Sequence, residues 1–112
     1  MAVYDKSMPV MGDVPSQSED KSQTIGTSSV NVKFSQNVIA VEIANNSSTA
    51  TVYLNIDGTV AVLNKGIPIY AQCYYAAERK ILQNTGICLI SNQANTDVRI
   101  IGHYELISEI KL

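Results

Sequence analysis

The chain has 112 residues, of which 46 % are apolar and 16 % are charged, and its formal net charge is −2. The charged fraction is well below the roughly 25 % of an average soluble domain, so we expect a surface built largely from neutral Ser, Thr, Asn and Gln side chains. Because the net charge is small and Arg79-Lys80 is the only adjacent basic pair, the composition argues against a nucleic-acid-binding protein.

Residues 1–27 form a polar stretch with little apolar periodicity. Its turn-forming residues are Pro9, Gly12, Pro15 and Gly26, and they favour extended or irregular structure. A segment of this kind buries too little apolar surface to fold alone, so we predict an extended N-terminal arm that docks onto another chain. A disordered tail is the alternative. The arm residues predicted to contact a partner are Tyr4, Met8, Val10 and Met11.

Residues 28–112 show the two-residue apolar repeat of half-buried β-strands. The predicted strands are 30–34, 38–44, 51–56, 59–63, 67–75, 87–91 and 98–107, while 76–82 is left open between a short helix, a connection and a further strand. Short strands at this spacing without a long helix predict an all-β fold. We expect an antiparallel β-sandwich, jelly-roll-like or immunoglobulin-like, or a small barrel.

A hairpin is predicted at Asp57-Gly58, because glycine supplies the positive φ that a two-residue turn requires. Residues 59–63 would then fold back on residues 51–56. In the next predicted strand, Pro68 favours a strand end or a sheet edge, since proline cannot donate a hydrogen bond to the ladder.

No pattern in the chain predicts catalysis, metal binding or a cofactor. His103 is the only histidine, and it falls on the outward side of the last strand, so a surface or interface role is favoured over a catalytic one. Cys73 and Cys88 lie within apolar strand patterns, and we interpret them as small buried side chains rather than a disulfide or a nucleophile. We therefore expect a protein that is not an enzyme.

The first residues lack the basic and apolar regions of a signal peptide, and no apolar run approaches the length of a membrane span. We therefore expect synthesis in the cytosol and no membrane partner. In that setting the two overlapping glycosylation sequons within residues 45–48 are better explained as a polar turn.

Three tyrosines, Tyr53, Tyr70 and Tyr74, are predicted to project from the face opposite the apolar stripe of their strands. Tyrosine rings in such places favour contact surfaces, where the ring is buried while the hydroxyl keeps a hydrogen bond. The three interpretations are a protein interface, a platform for stacking sugars, and the core of a second sheet layer.

The run from Ile43 to Gly58 combines an Asn/Ser-rich turn with the strand Ala50-Thr51-Val52-Tyr53, and the segment Gly66-Ile67-Pro68 follows. This run resembles the small β-sandwich modules of tailed-bacteriophage virion proteins. The resemblance implies a capsid decoration or cement protein, or a component of the neck, tail or fibre, located in the virion and assembled in the host cytoplasm. Its partners would be further copies of itself, in a trimer for example, and virion proteins such as the major capsid protein.

Two functions are therefore expected. The first is a non-enzymatic virion subunit that stabilises the particle through oligomerisation of the β-body, residues 28–112, and through contacts of the arm, residues 1–27. The alternative is a carbohydrate- or receptor-binding β-module that uses the outward tyrosines as its contact surface.

Overall fold

The structure is a computed structural model, and it describes residues 17–105. These residues form eight strands and no helix, which confirms the predicted all-β class. No helix among them is therefore suited to crossing a membrane. The strands are β1 (Ser18–Ile25), β2 (Val30–Val32), β3 (Val38–Asn45), β4 (Val52–Asn55), β5 (Ile67–Ile69), β6 (Tyr74–Ile81), β7 (Ile87–Ser91) and β8 (Thr96–Tyr104).

The eight strands form two antiparallel sheets of four strands each. Sheet A has the order β1-β8-β3-β6, and sheet B has the order β2-β7-β4-β5. Side chains from all eight strands meet in one buried apolar cluster between the two sheets. The fold is thus a β-sandwich, one of the two architectures that strand alternation predicted.

The core is built from alternate residues of the central strands. Val41 and Ile43 of β3 face Leu54 of β4 and Leu89 of β7 within the same cluster, and all four side chains are buried. Burying each of these side chains stabilises the fold by about 1.5–3 kcal/mol.

Ile39 departs from this pattern. Its alternation with Val41 and Ile43 predicts an inward side chain, but 44 % of it is exposed. In the pairing of β3 with β8, Ile39 lies between Val38 and Ala40 while their partners Tyr104 and His103 are adjacent, so Ile39 is the extra residue of a bulge and turns outward while Val38 takes the inward place.

Strand β1 corrects the prediction of an arm over residues 1–27. Ser18–Ile25 pairs with β8 along its whole length, from Ser18 opposite His103 to Ile25 opposite Thr96, and Ile25 is fully buried. The sequence signal was absent because the other inward positions of β1, including Glu19 and Lys21, are polar. The remaining part of the predicted arm, with Tyr4, Met8, Val10 and Met11, lies outside the described residues.

The predicted hairpin over residues 51–63 is wrong. Strand β4 pairs with β5, with Val52 opposite Ile69, and residues 57–66 form a loop that folds over the outer face of sheet B. We call this loop the flap. Its backbone is held by side chains instead of a ladder: Asp57 accepts hydrogen bonds from the amide and hydroxyl of Thr59, and the Asn55 amide donates to the carbonyls of Thr59 and Val60.

The predicted strand 67–75 is two strands. A turn at residues 70–73 separates β5 from β6 and carries the chain from sheet B to sheet A. In this turn the Cys73 amide donates to the Tyr70 carbonyl at 3.0 Å, and Gln72 has a φ of 58°. Cys73 is therefore exposed, which corrects its predicted burial, whereas Cys88 is buried as predicted, and both are free thiols. Residues 76–82, left open by the sequence, belong mostly to β6.

Candidate interaction surfaces

Within residues 17–105 each sheet of the sandwich has two edge strands, and an edge strand exposes backbone donors and acceptors on one side. Three of the four edges carry features that discourage pairing with another chain. Strands β2 and β5 have three residues each, and β5 contains Pro68. Strand β1 turns Glu19 and Lys21 toward the inner side of the sandwich, and inward charges oppose the continuation of a sheet.

Strand β6 is the fourth edge, and its first half lacks such features. Among the described residues it pairs only with β3. The pairing is regular from Tyr74 opposite Ala44 to Glu78 opposite Ala40, and the register shifts beyond that point. Tyr74 is 63 % exposed. The edge therefore offers four uncharged residues, 74–77, followed by the charged run Glu78-Arg79-Lys80.

A shallow depression of about 310 Å³ lies on the outer face of sheet A, directly beside this edge. Ala40 and Ala76 form its floor because their side chains are small. The side chains around them are Glu42, Tyr74, Glu78 and His103. Cross-strand pairing fixes this arrangement, since Ala40 lies between His103 of β8 and Glu78 of β6.

Glu42 organises one side of the depression. One of its carboxylate oxygens, Oε2, lies 2.5 Å from His103 Nε2, and the other accepts a hydrogen bond from the Tyr74 hydroxyl at 3.0 Å. The bond to His103, and then the bond from Tyr74, lower the pKa of Glu42. The same carboxylate raises the pKa of the Tyr74 hydroxyl. Glu42 is thus an ionised acceptor that fixes the Tyr74 ring at the edge of the sheet.

The flap forms a second surface on the opposite side of the sandwich. Its small residue, Ala61, is buried against Cys88 and Ile90, while Val60 and Val62 are 70 % and 49 % exposed. Leu63 adds a third exposed apolar side chain. The apolar pattern of residues 59–63 therefore did not predict this surface, because the small residue Ala61 faces the sheet while the larger Val60 and Val62 face solvent.

The structure distributes the three predicted contact tyrosines over different surfaces. Tyr74 lies on the outer face of sheet A. Tyr53 lies on the outer face of sheet B, where it packs against the buried Ala61 cluster and its hydroxyl donates to Asn64. Tyr70 is 60 % exposed in the connection between β5 and β6. The tyrosines therefore do not form one continuous platform.

Asn45, the asparagine that begins the first of the two overlapping sequons, has a structural role. Its side chain is buried and donates to the carbonyls of Ala50 and Ile69, both at 2.9 Å. Its side-chain oxygen accepts a bond from the Ser47 amide. These bonds hold the polar turn against the start of β4 and the end of β5, which agrees with the interpretation as a turn.

Within residues 17–105 no group of three or more His, Cys, Asp or Glu side chains is placed to hold a metal ion. Comparison of the chain with protein-family models, with curated proteins and with solved structures gave no match. The resemblance to phage virion modules stays a prediction.

Proposed function

We propose that this protein is a non-enzymatic structural subunit of a virion, and specifically a decoration or cement subunit that binds the outside of a protein shell. The observation that carries the proposal is the flap, which presents Val60, Val62 and Leu63 to solvent on one side of the sandwich. Exposed apolar side chains gathered on one segment favour a protein contact.

The flap is well suited to binding because it is held in place before any partner arrives. The Ala61 amide donates to Ser29 at 2.9 Å, the Cys88 thiol lies 3.4 Å from the Gly58 carbonyl, and the Tyr53 hydroxyl bonds Asn64. A loop that is already ordered loses less conformational entropy when it binds. The apolar side chains are therefore offered in a defined arrangement.

The remainder of the surface fits a repeated assembly. The chain is sparsely charged, so copies packed side by side repel each other weakly. A subunit that occupies many equivalent positions on a shell gains from each modest contact many times over. A decoration subunit of this kind requires neither a cofactor nor a catalytic centre.

The experiment is a co-sedimentation assay with shells assembled from the major capsid protein that the same genome encodes. The wild-type chain should sediment with the shells, and the triple variant Val60→Ser, Val62→Ser, Leu63→Ser should bind at least tenfold more weakly, since each lost apolar contact contributes about 1 kcal/mol or more. Lys65→Ser, a polar change in the same flap, is the matched control. Failure of the wild-type chain to bind shells would count against the proposal.

A second candidate function is a carbohydrate- or receptor-binding module, and the depression beside Tyr74 favours it. An exposed aromatic ring next to the carboxylates of Glu42 and Glu78 can stack on a sugar and accept bonds from its hydroxyls. Binding on a glycan array should then be lost in Tyr74→Ala and kept in Tyr53→Ala, because Tyr53 lies on the other sheet. An array without signal would remove this candidate.

A further inference from the structure

We infer that the β6 edge is a self-association surface, at which β6 of one copy pairs antiparallel with β6 of a second copy. The two A sheets would then join into one sheet of eight strands around a two-fold axis. This inference rests on the proposed function, because a shell subunit assembles with copies of itself. The inference adds that the β6 edge is the surface through which two copies pair.

The choice of β6 follows from the comparison of the four edges. Two edges are three residues long and a third is protected by inward charges, whereas residues 74–78 keep a regular ladder with β3 and show an uncharged stretch at the free side. Exposed strands of this kind are templates for further pairing. Beyond Glu78 the bulge and the basic pair Arg79-Lys80 limit the ladder to these five residues.

The midpoint of the regular stretch is Ala76, and this position fits a two-fold axis. Ala76 is exposed on the outer face, and at the axis it would lie opposite its own copy, where a methyl group leaves room for close approach. On the inner side the large Tyr75 would lie opposite the small Ala77. At the ends Tyr74 would lie opposite Glu78. On the inner side of the joined sheet, each Tyr75 ring is thus opposite a small Ala77 side chain.

The charge pattern selects a second copy in the antiparallel direction. A parallel arrangement would set Glu78, Arg79 and Lys80 beside the same residues of the partner, and directly opposed like charges destabilise a sheet. The antiparallel arrangement separates the two Glu78 residues by four positions, roughly 13 Å along the strand. It also brings the basic pair of each copy toward the tyrosine end of the other, where cation–π contacts are favourable.

The experiment uses single cysteines in the full-length chain with Cys73→Ser, which removes the exposed thiol and leaves the buried Cys88. Cross-strand partners lie about 5 Å apart at Cβ, so Ala76→Cys should form a disulfide-linked dimer under mild oxidation. Ser22→Cys, at an exposed position of the β1 edge, is the matched control and should remain monomeric. Non-reducing electrophoresis measures both.

A second variant, Ala76→Lys in the wild-type chain, places two like charges at the axis. Analytical ultracentrifugation should show its dimer dissociation constant raised at least tenfold, while circular dichroism shows an unchanged fold. Equal cross-linking of the Ala76→Cys and Ser22→Cys variants, or a dimer that survives Ala76→Lys, would overturn the inference. If the wild-type chain binds shells but does not dimerise, the inference is overturned and the proposed function stands. If the wild-type chain dimerises but does not bind shells, only the proposed function is contradicted.

Discussion

At Glu19 a charged side chain occupies a place that an apolar residue normally takes on the inner side of a strand. The side chain is 14 % exposed, and its carboxylate accepts hydrogen bonds from the Ser35 amide, the Ser35 hydroxyl and the Tyr104 hydroxyl, each at 2.9 Å. Partial burial acts to raise the pKa of Glu19, but these bonds and the nearby Lys21 ammonium outweigh it and lower the pKa to about 2.

The low pKa of Glu19 makes part of the stability depend on pH. Its folded pKa of about 2 lies below the ordinary value of 4.5, so the ionised carboxylate stabilises the fold above pH 4.5, and this contribution is lost as the pH falls from about 4.5 to about 2. Glu19→Gln should lower the free energy of unfolding at pH 7 by about 1.5–3 kcal/mol. Urea denaturation of both proteins at several pH values measures the difference, which should shrink in acid.

Glu78→Gln provides the control for Glu19, because Glu78 is exposed on the outer face of sheet A. Such a surface change should alter the free energy of unfolding by less than about 0.5 kcal/mol. A loss in Glu19→Gln that stayed constant between pH 7 and pH 3 would show that the hydrogen bonds do not depend on the ionised carboxylate.

At the level of elements, the turn between β6 and β7 depends on Gly86. Its φ is +66°, and a Cβ at this position would lie 2.3 Å from the carbonyl oxygen of Val32. Both the positive φ and the short distance to the Val32 carbonyl oxygen therefore exclude a residue larger than glycine. Gly86→Ala should lower the free energy of unfolding by about 1–3 kcal/mol.

Gly26 is the matched control for Gly86, since it lies in the β1–β2 connection and a Cβ there would meet nothing within 4 Å. Gly26→Ala should leave the free energy of unfolding unchanged or slightly raised, because alanine reduces the entropy of the unfolded chain. Equal losses in the two variants, measured by urea denaturation, would contradict this explanation.

Alternation located β3, β4 and β8, because each of these strands buries one apolar face in the core, whereas β7 was located by a continuous apolar run and is buried on both faces. It failed at β1, where the inward side chains Glu19 and Lys21 are held by hydrogen bonds and charge. It failed again at the flap, where Asn55 and Asp57 satisfy the backbone groups that a hairpin ladder would have used. Alternation also placed Tyr74 on an outward face, but it could not identify β6 as an edge, since strand order in a sheet depends on contacts between distant residues.

At the scale of the whole molecule, the structure places residues 18–25, which the sequence assigned to the arm, within the β-sandwich. Deleting residues 1–16 should leave β1 intact and the free energy of unfolding nearly unchanged, whereas deleting residues 1–25 should destabilise the body strongly, because it removes the partner of β8 and the buried Ile25. Thermal unfolding followed by circular dichroism measures both.

The shorter deletion also tests the arm contacts of the proposed function. The protein lacking residues 1–16 should fold but bind shells more weakly than the full chain in the co-sedimentation assay. Shell binding equal to that of the full chain would show that these residues, including Tyr4, Met8, Val10 and Met11, make no contribution to assembly.

The pairing of the first described strand with the last one has a consequence for how the protein forms. Ser18 can pair with His103 only after residue 103 has been synthesised, so the polar strand β1 lacks its partner β8 while the intervening chain is made. Closing so long a loop is entropically costly, and chains rich in such distant pairings fold slowly. Because β1 carries charged residues at inward positions where an aggregation-prone strand would carry valines, the unpaired strand resists aggregation in water.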